Sequence, residues 1–173
     1  TARKSVADPL TRTNTQTNTP AIIHYDIVSG DRLEVRYMAK GAGSENMSRI
    51  YMLTPSKGIN GIIESAVDCV KRAGSSPCPP VILGVGIGGT MDVAALLSKK
   101  SLVYESENKR ADELELERKI LEAVNRTGIG AQGFGGSVTA LGVHVLTAPT
   151  HIGMLPVAIT VQCHSDRKFV YTA

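Results

Sequence analysis

The spacing of apolar residues divides the chain into helices and strands. Apolar residues recur every three or four positions in three stretches, and this spacing predicts helices at 58–72, 91–99 and 111–125. Shorter runs rich in β-branched and aromatic residues predict strands at 21–28, 33–39, 49–54, 81–83, 102–104, 138–147, 155–161 and 168–171. The Ser-Gly-Asp-Arg turn between the first two strands predicts a hairpin. Together these elements favour an α/β (α+β) fold, with a mixed β-sheet, flanking helices and several glycine-rich loops.

The chain is long enough to bury a core of its own. Its 173 residues are 42% hydrophobic and 20% charged, and a chain of this length buries roughly 70% of the surface that its unfolded form exposes. We therefore expect a single domain that spans 1–173. The net charge of +3 comes without a long basic run, which argues against a nucleic-acid partner. No apolar run is long enough for a membrane span.

Cysteine usage indicates a reducing compartment. Three cysteines cannot all pair with one another, and thiols kept for metal binding or chemistry are typical of cytoplasmic proteins. The first residue is Thr1 rather than Met, and no signal-peptide pattern follows it. We expect a cytoplasmic protein, and we expect the chain to be incomplete at its N-terminus.

Two glycine-rich segments match the G-x-G-x-x-G pattern of dinucleotide-binding turns. The segment 84–89 lies between a predicted strand and a predicted helix, and an acidic residue follows about 20 positions on. The second match, at 128–133, lacks a clear strand before it. One functional hypothesis is therefore a dinucleotide-binding domain that uses Gly84, Gly86 and Gly89, with Glu105 on the ribose.

Two cysteines occupy rigid places next to predicted strands. Cys78 stands between prolines just before one strand, Cys163 ends another, and His151 precedes Cys163 by twelve residues. We expect Cys78 and Cys163 to converge as ligands of one metal centre, with His151 beside it. Fixed thiols suit an iron–sulfur cluster, whereas zinc would require four ligands at finger-like spacing. Two unlinked buried cysteines are the alternative, and Cys69 is interpreted as a small buried thiol on a helix.

Five motifs, in order along nearly the whole chain, resemble those of one enzyme family. They are ARKSVADPLTRTNTQTNTPA, KGAGSEN, AGSSPCPPVILGVGIGGT, TGIGAQGFGG and THIGMLPVAITVQCHSDR. Together they resemble the α subunit of the class I fumarate hydratase and tartrate dehydratase family. The resemblance implies an iron–sulfur-dependent hydro-lyase that reversibly adds or removes water on a four-carbon dicarboxylate, either fumarate/malate or tartrate/oxaloacetate.

The resemblance also implies the cofactor and its ligands. Three cysteines of that family hold a four-iron four-sulfur (4Fe-4S) cluster, whose remaining iron acts as a Lewis acid on the substrate. Cys78 matches the second of these cysteines and Cys163 the third. The first is expected upstream of this chain, and Cys69 does not match a ligand.

Further residues acquire roles from the same resemblance. His151 matches an active-site histidine, and Arg3 matches an arginine that binds a substrate carboxylate, with Arg12 as the second choice. The glycine loop that contacts the substrate corresponds here to Gly41, Ser44, Asn46 and Ser48. His164 receives no role, since the family does not require histidine there.

The implied enzyme extends beyond this chain. A β-type subunit or domain is expected to complete the active site, within a hetero- or homo-oligomer, and the substrate is a small dicarboxylate. The chain by itself is expected to be inactive. A third hypothesis follows, in which the chain is a non-catalytic assembly subunit.

Overall fold

A computed structural model describes residues 5–19, 21–104 and 109–173. The strands in these ranges are β1 (Glu34–Ala39), β2 (Arg49–Leu53), β3 (Val81–Gly88), β4 (Ala140–Ala148), β5 (Leu155–Gln162) and β6 (Arg167–Thr172). The α-helices are α1 (Ala42–Glu45), α2 (Gly58–Ala73), α3 (Met91–Lys100) and α4 (Ala111–Asn125), with short 3-10 helices at Pro55–Lys57 and Ala131–Gly133. None of the helices in these ranges combines the length and the apolar character needed to cross a bilayer.

The chain divides into two units, Thr1–Leu33 and Glu34–Ala173. In the first unit, a single β-bridge joins Val6 to Asn14. The Asp8 carboxylate there accepts the backbone N–H groups of Leu10 and Thr11 at 2.8 and 2.7 Å. Residues 21–33 are in neither helix nor strand.

The second unit is built around a four-stranded mixed sheet in the order β2-β5-β3-β4. The central strand β3 runs parallel to β4 and antiparallel to β5, with Ile82 opposite Gln162 and Ile87 opposite Val157. Because β3 and β5 have neighbours on both sides, they are almost fully buried. This confirms the predicted mixed sheet with flanking helices.

Helices cover both faces of this sheet. Apolar residues of α2 and α4 join alternate side chains of β3 in the main core, which contains Ile62, Ala66, Val70, Leu116, Ile120, Val124, Val81, Leu83 and Val85. The three- and four-residue spacing that predicted these two helices is the spacing of those buried side chains. The opposite face of β3 carries glycines and packs on α3.

The close packing of α3 on β3 corrects the dinucleotide hypothesis. Residues 84–88 continue β3 rather than forming a phosphate-binding turn. A Cβ atom on Gly84 would lie 2.1 Å from the Ser98 carbonyl oxygen, and one on Gly86 would lie 2.1 Å from that of Ala94. These two glycines therefore make room for a helix, not for a ligand. Glu105 lies outside the described residues.

Two other sequence predictions are wrong. The hairpin between 21–28 and 33–39 does not form, because β1 pairs with β6 in a separate two-stranded sheet. That pairing places Val35 opposite Tyr171 and Tyr37 opposite Phe169, and such cross-strand apolar pairs outweigh a local turn signal. Residues 102–104 form a turn that extends α3, not a strand.

The glycine packing generates a stability prediction. We expect Gly86→Ala to lower the free energy of unfolding by about 2 kcal/mol, because the added methyl group overpacks the interface between β3 and α3. Gly142→Ala on β4 is the matched control, since its Cβ would lie 3.9 Å from the nearest atom. Urea denaturation followed by circular dichroism measures both values. Equal destabilisation by the two variants would contradict the packing argument.

Candidate functional site

Cys78 and Cys163 lie at the same edge of the central sheet. Cys78 precedes β3 and Cys163 directly follows β5. Because these strands are antiparallel and Ile82 faces Gln162, the start of one lies beside the end of the other. A ring nitrogen of His164, Nδ1, lies 3.0 Å from the carbonyl oxygen of Cys78, so the two cysteine-bearing turns are in direct contact.

His151 lies at the opposite edge of the sheet. It belongs to the loop between β4 and β5, where its Nδ1 accepts the Gly153 N–H at 3.0 Å. The eight residues of β5, at about 3.3 Å per residue, separate the ends of that strand by roughly 23 Å. The expectation that His151 lies beside the two cysteines is therefore wrong within one copy of the chain. The signal was misleading because twelve residues of sequence here contain a whole strand.

The turn that carries Cys78 is held by a hydrogen bond within the turn and by hydrogen bonds from one neighbouring loop. Cys78 is exposed and has a φ of 55°, an uncommon conformation for a residue with a side chain. Its N–H donates to the Ser75 carbonyl oxygen at 3.0 Å. From the glycine-rich loop 127–136, the backbone and side-chain nitrogens of Gln132 donate to the Pro79 carbonyl oxygen at 2.7 and 3.2 Å. The glycine-rich loop therefore packs beside the Cys78 turn at this edge of the sheet.

Cys163 is partly buried, and its surroundings lower the pKa of its thiol. Burial raises the pKa of its thiol, but hydrogen bonds from the Ser165 hydroxyl and from nearby backbone N–H groups outweigh this and leave the pKa below its usual value. The Ser165 hydroxyl lies 3.0 Å from the sulfur. Since thiolates rather than thiols bind metals, this environment suits a metal ligand.

A lysine that the sequence analysis did not single out lies beside this cysteine. Lys40 Nζ donates to the Val161 carbonyl oxygen at 2.5 Å and lies 3.1 Å from the Glu45 carboxylate. Glu45 also pairs with Lys99 of α3. Burial lowers the pKa of Lys40, and the Glu45 charge partly offsets that effect. The position of Lys40 directly before the glycine loop was the signal that could have identified it.

The predicted substrate-binding loop has a structural side and an open side. Ser44 is buried and donates to the Gly41 carbonyl oxygen at 3.0 Å. The Ser48 hydroxyl accepts the Val161 N–H at 3.1 Å, which ties the loop to β5. Gly41 and Asn46 are exposed.

The predicted arginines lie outside this unit. Arg3 is not among the described residues. Arg12 is exposed in the first unit, has a φ of 59° and donates its N–H to the Asp8 carbonyl oxygen at 3.0 Å.

Cys69 is not part of this edge. It is fully buried in the core, its thiol donates to the Met47 carbonyl oxygen at 3.4 Å, and burial raises its pKa to about 12. The prediction of a small buried thiol is confirmed. Among the described residues, no group of three or more His, Cys, Asp or Glu side chains is arranged to hold a metal ion. Among the described residues, the thiols at this edge that could bind a metal are therefore those of Cys78 and Cys163.

Comparison with known proteins gives consistent matches. A family model described as fumarate hydratase (Fumerase) matches residues 1–172. The chain is 44% identical over 175 residues to a Methanocaldococcus jannaschii protein named "Putative L(+)-tartrate dehydratase subunit alpha", covering 97% of this chain and 61% of that protein. It is 32% identical over 159 residues to the L(+)-tartrate dehydratase subunit alpha of Escherichia coli strain UTI89, covering 90% of this chain and 52% of the relative. The chain thus spans less than two thirds of the length of these relatives.

The three cysteines should differ in chemical accessibility. We expect N-ethylmaleimide to label Cys78 and Cys163 in the native chain while Cys69 stays unlabelled, because only Cys69 is sealed in the core. Mass spectrometry of the digested protein identifies the labelled peptides. In the denatured control all three should react. Native labelling of Cys69 at the rate of Cys78 would contradict the assignment.

Proposed function

This chain belongs to the fumarate hydratase family, and from that premise we propose that it is the α-type part of a hydro-lyase. The reaction is the reversible addition or removal of water on a four-carbon dicarboxylate. The observation that carries the proposal is the position of Cys78 and Cys163 at one sheet edge, on two turns joined by a hydrogen bond.

We propose that these two cysteines are ligands of an iron–sulfur cluster. Cys78 is exposed and Cys163 is half-buried with a lowered pKa, so both thiols are accessible and suited to binding a metal. Cys69 cannot join them without leaving the core, which favours a third cysteine outside this chain. When bound, a cluster with one iron free of protein ligands supplies a Lewis acid for the substrate hydroxyl.

The other proposed site residues supply positive charge and shape the substrate-binding loop. Lys40 places a positive charge near Cys163 and ties the loop to β5 through the Val161 carbonyl oxygen. Gly41 and Asn46 present the open side of the loop to a substrate, while Ser44 and Ser48 hold its shape. For Arg3, with Arg12 as the second choice, the proposed role is to bind a substrate carboxylate, for which a guanidinium offers paired N–H donors.

We propose that His151 acts on the site of a second copy of the chain. The active-site role that the family resemblance implies for His151 requires a substrate nearby. Yet the length of β5 separates His151 from the cysteines of its own copy. In a two-fold assembly, the edge that carries His151 in one copy can face the cysteine edge of the other copy.

A partner subunit completes this proposal. The relatives are named as alpha subunits, and we propose that a β-type subunit or domain supplies the remaining active-site groups, including the proton-transfer base. A reducing, cytoplasmic location fits the free thiols.

Replacing each cysteine tests the cluster proposal. In the complete protein with its β-type partner, reconstituted anaerobically with iron and sulfide, we expect Cys78→Ser and Cys163→Ser to abolish fumarate hydration or tartrate dehydration. Both variants should also lose bound iron, because each removes a thiolate ligand. Cys69→Ala is the matched control and should keep both. An active, colourless Cys163→Ser protein would refute the proposal. We also expect the 173-residue chain alone to be inactive.

Mixed assemblies test the position of His151. Cys163→Ser and His151→Asn copies, co-expressed with different tags and purified as the hybrid, should retain about half of wild-type activity, because one of two symmetric sites stays intact. Each variant alone should be inactive. A hybrid of Cys78→Ser with Cys163→Ser is the control, since both of its sites are damaged. An inactive first hybrid would show that His151 does not act across copies.

A further inference from the structure

We propose that His164 is a positioning residue that holds the two cysteine turns at a fixed separation, so that Cys78 and Cys163 address one bound group together. The proposal rests on the proposed function, because it assumes that both thiols bind the same centre. The observation behind it is the contact of 3.0 Å between His164 Nδ1 and the Cys78 carbonyl oxygen.

The Cys78 peptide needs such support. Its backbone has a φ of 55°, a conformation that persists in a residue with a side chain only when the surroundings impose it. The Ser75 carbonyl oxygen holds its N–H from one side. His164 holds its carbonyl oxygen from the other side, and Gln132 holds the next carbonyl, that of Pro79. The orientation of the Cys78 side chain is thereby tied to the position of His164.

The other end of the contact is also rigid. The Asp166 N–H donates to the Cys163 carbonyl oxygen at 3.2 Å and closes a tight turn around His164. The Ser165 hydroxyl contacts the Cys163 sulfur within that turn. The turn begins at the end of the buried strand β5, so the imidazole extends from a fixed base. Cys78 and Cys163 are connected through His164 by a short path of covalent and hydrogen bonds.

The contact requires only that Nδ1 of His164 donates a hydrogen bond to the Cys78 carbonyl oxygen, whether or not the imidazole is charged. Nδ1 of a histidine donates both in the imidazolium and in the neutral tautomer protonated at that nitrogen. An asparagine places its amide nitrogen the same number of bonds from Cα, so His164→Asn can keep the contact. His164→Ala removes it. These two variants separate the loss of the hydrogen bond from the loss of the imidazole ring.

A reagent that needs two thiols at once measures the separation directly. Phenylarsine oxide condenses with two thiols, forming two arsenic–sulfur bonds and releasing one water without any change of oxidation state. We expect the full chain to bind it through Cys78 and Cys163, with dissociation constants measured by competition with 2,3-dimercaptopropanol. His164→Ala should weaken binding about fivefold, the effect of one lost hydrogen bond, and His164→Asn should restore most of it.

The controls distinguish positioning from folding and from the cluster proposal. Labelling of each thiol by N-ethylmaleimide, which needs one thiol at a time, should be unchanged in His164→Ala, and Cys69 should stay unlabelled. Unchanged arsenical binding in His164→Ala, no binding by the wild type, or exposure of Cys69 would each overturn the proposal. If the arsenical results are as expected but the complete protein takes up no iron, the positioning role stands and the proposed function fails.

Discussion

The antiparallel pairing of β3 with β5 determines where Cys78, Cys163 and His151 lie in the second unit. Because Ile82 faces Gln162, residues just before β3 and just after β5 share one edge, and the β4–β5 loop is confined to the other. A shift of this register by one residue would turn the buried side chains of β5 to the wrong face. The same register that fills the core therefore places the two cysteine-bearing turns at one edge of the sheet.

Helix α3 makes that pairing rigid. The glycines at 84 and 86 let the helix backbone approach the strand to a distance that any side chain would prevent. The Ser98 hydroxyl on α3 lies 2.7 Å from the Thr160 hydroxyl on β5, within the same buried layer. Close packing of this kind has little freedom to adjust, so the ends of β3 and β5 are fixed anchor points for the turns at 78 and 163.

The limits of the helices were predicted from the sequence more accurately than the pairing of the strands. The helix at 111–125 has the predicted limits, and the one at 58–73 differs by one residue, since helical spacing is a local property. The pairing of β1 with β6 was missed because it joins distant parts of the chain. For the site, motif order identified the family, while the distance between His151 and Cys163 depended on strand direction, which residue spacing does not encode.

Two lysines near the cysteine edge are already paired with a carboxylate. Lys40 and Lys99 both pair with Glu45, so these two cations are already largely neutralised, and burial further disfavours the charged form of Lys40. Under the proposed function, the substrate carboxylates would compete with Glu45 for these lysines. A guanidinium group binds a carboxylate through paired N–H donors, which is the role that the proposed function gives to Arg3. The proposed function therefore relies on cations other than Lys40 and Lys99 to bind the substrate, while Cys78 and Cys163 provide the thiols.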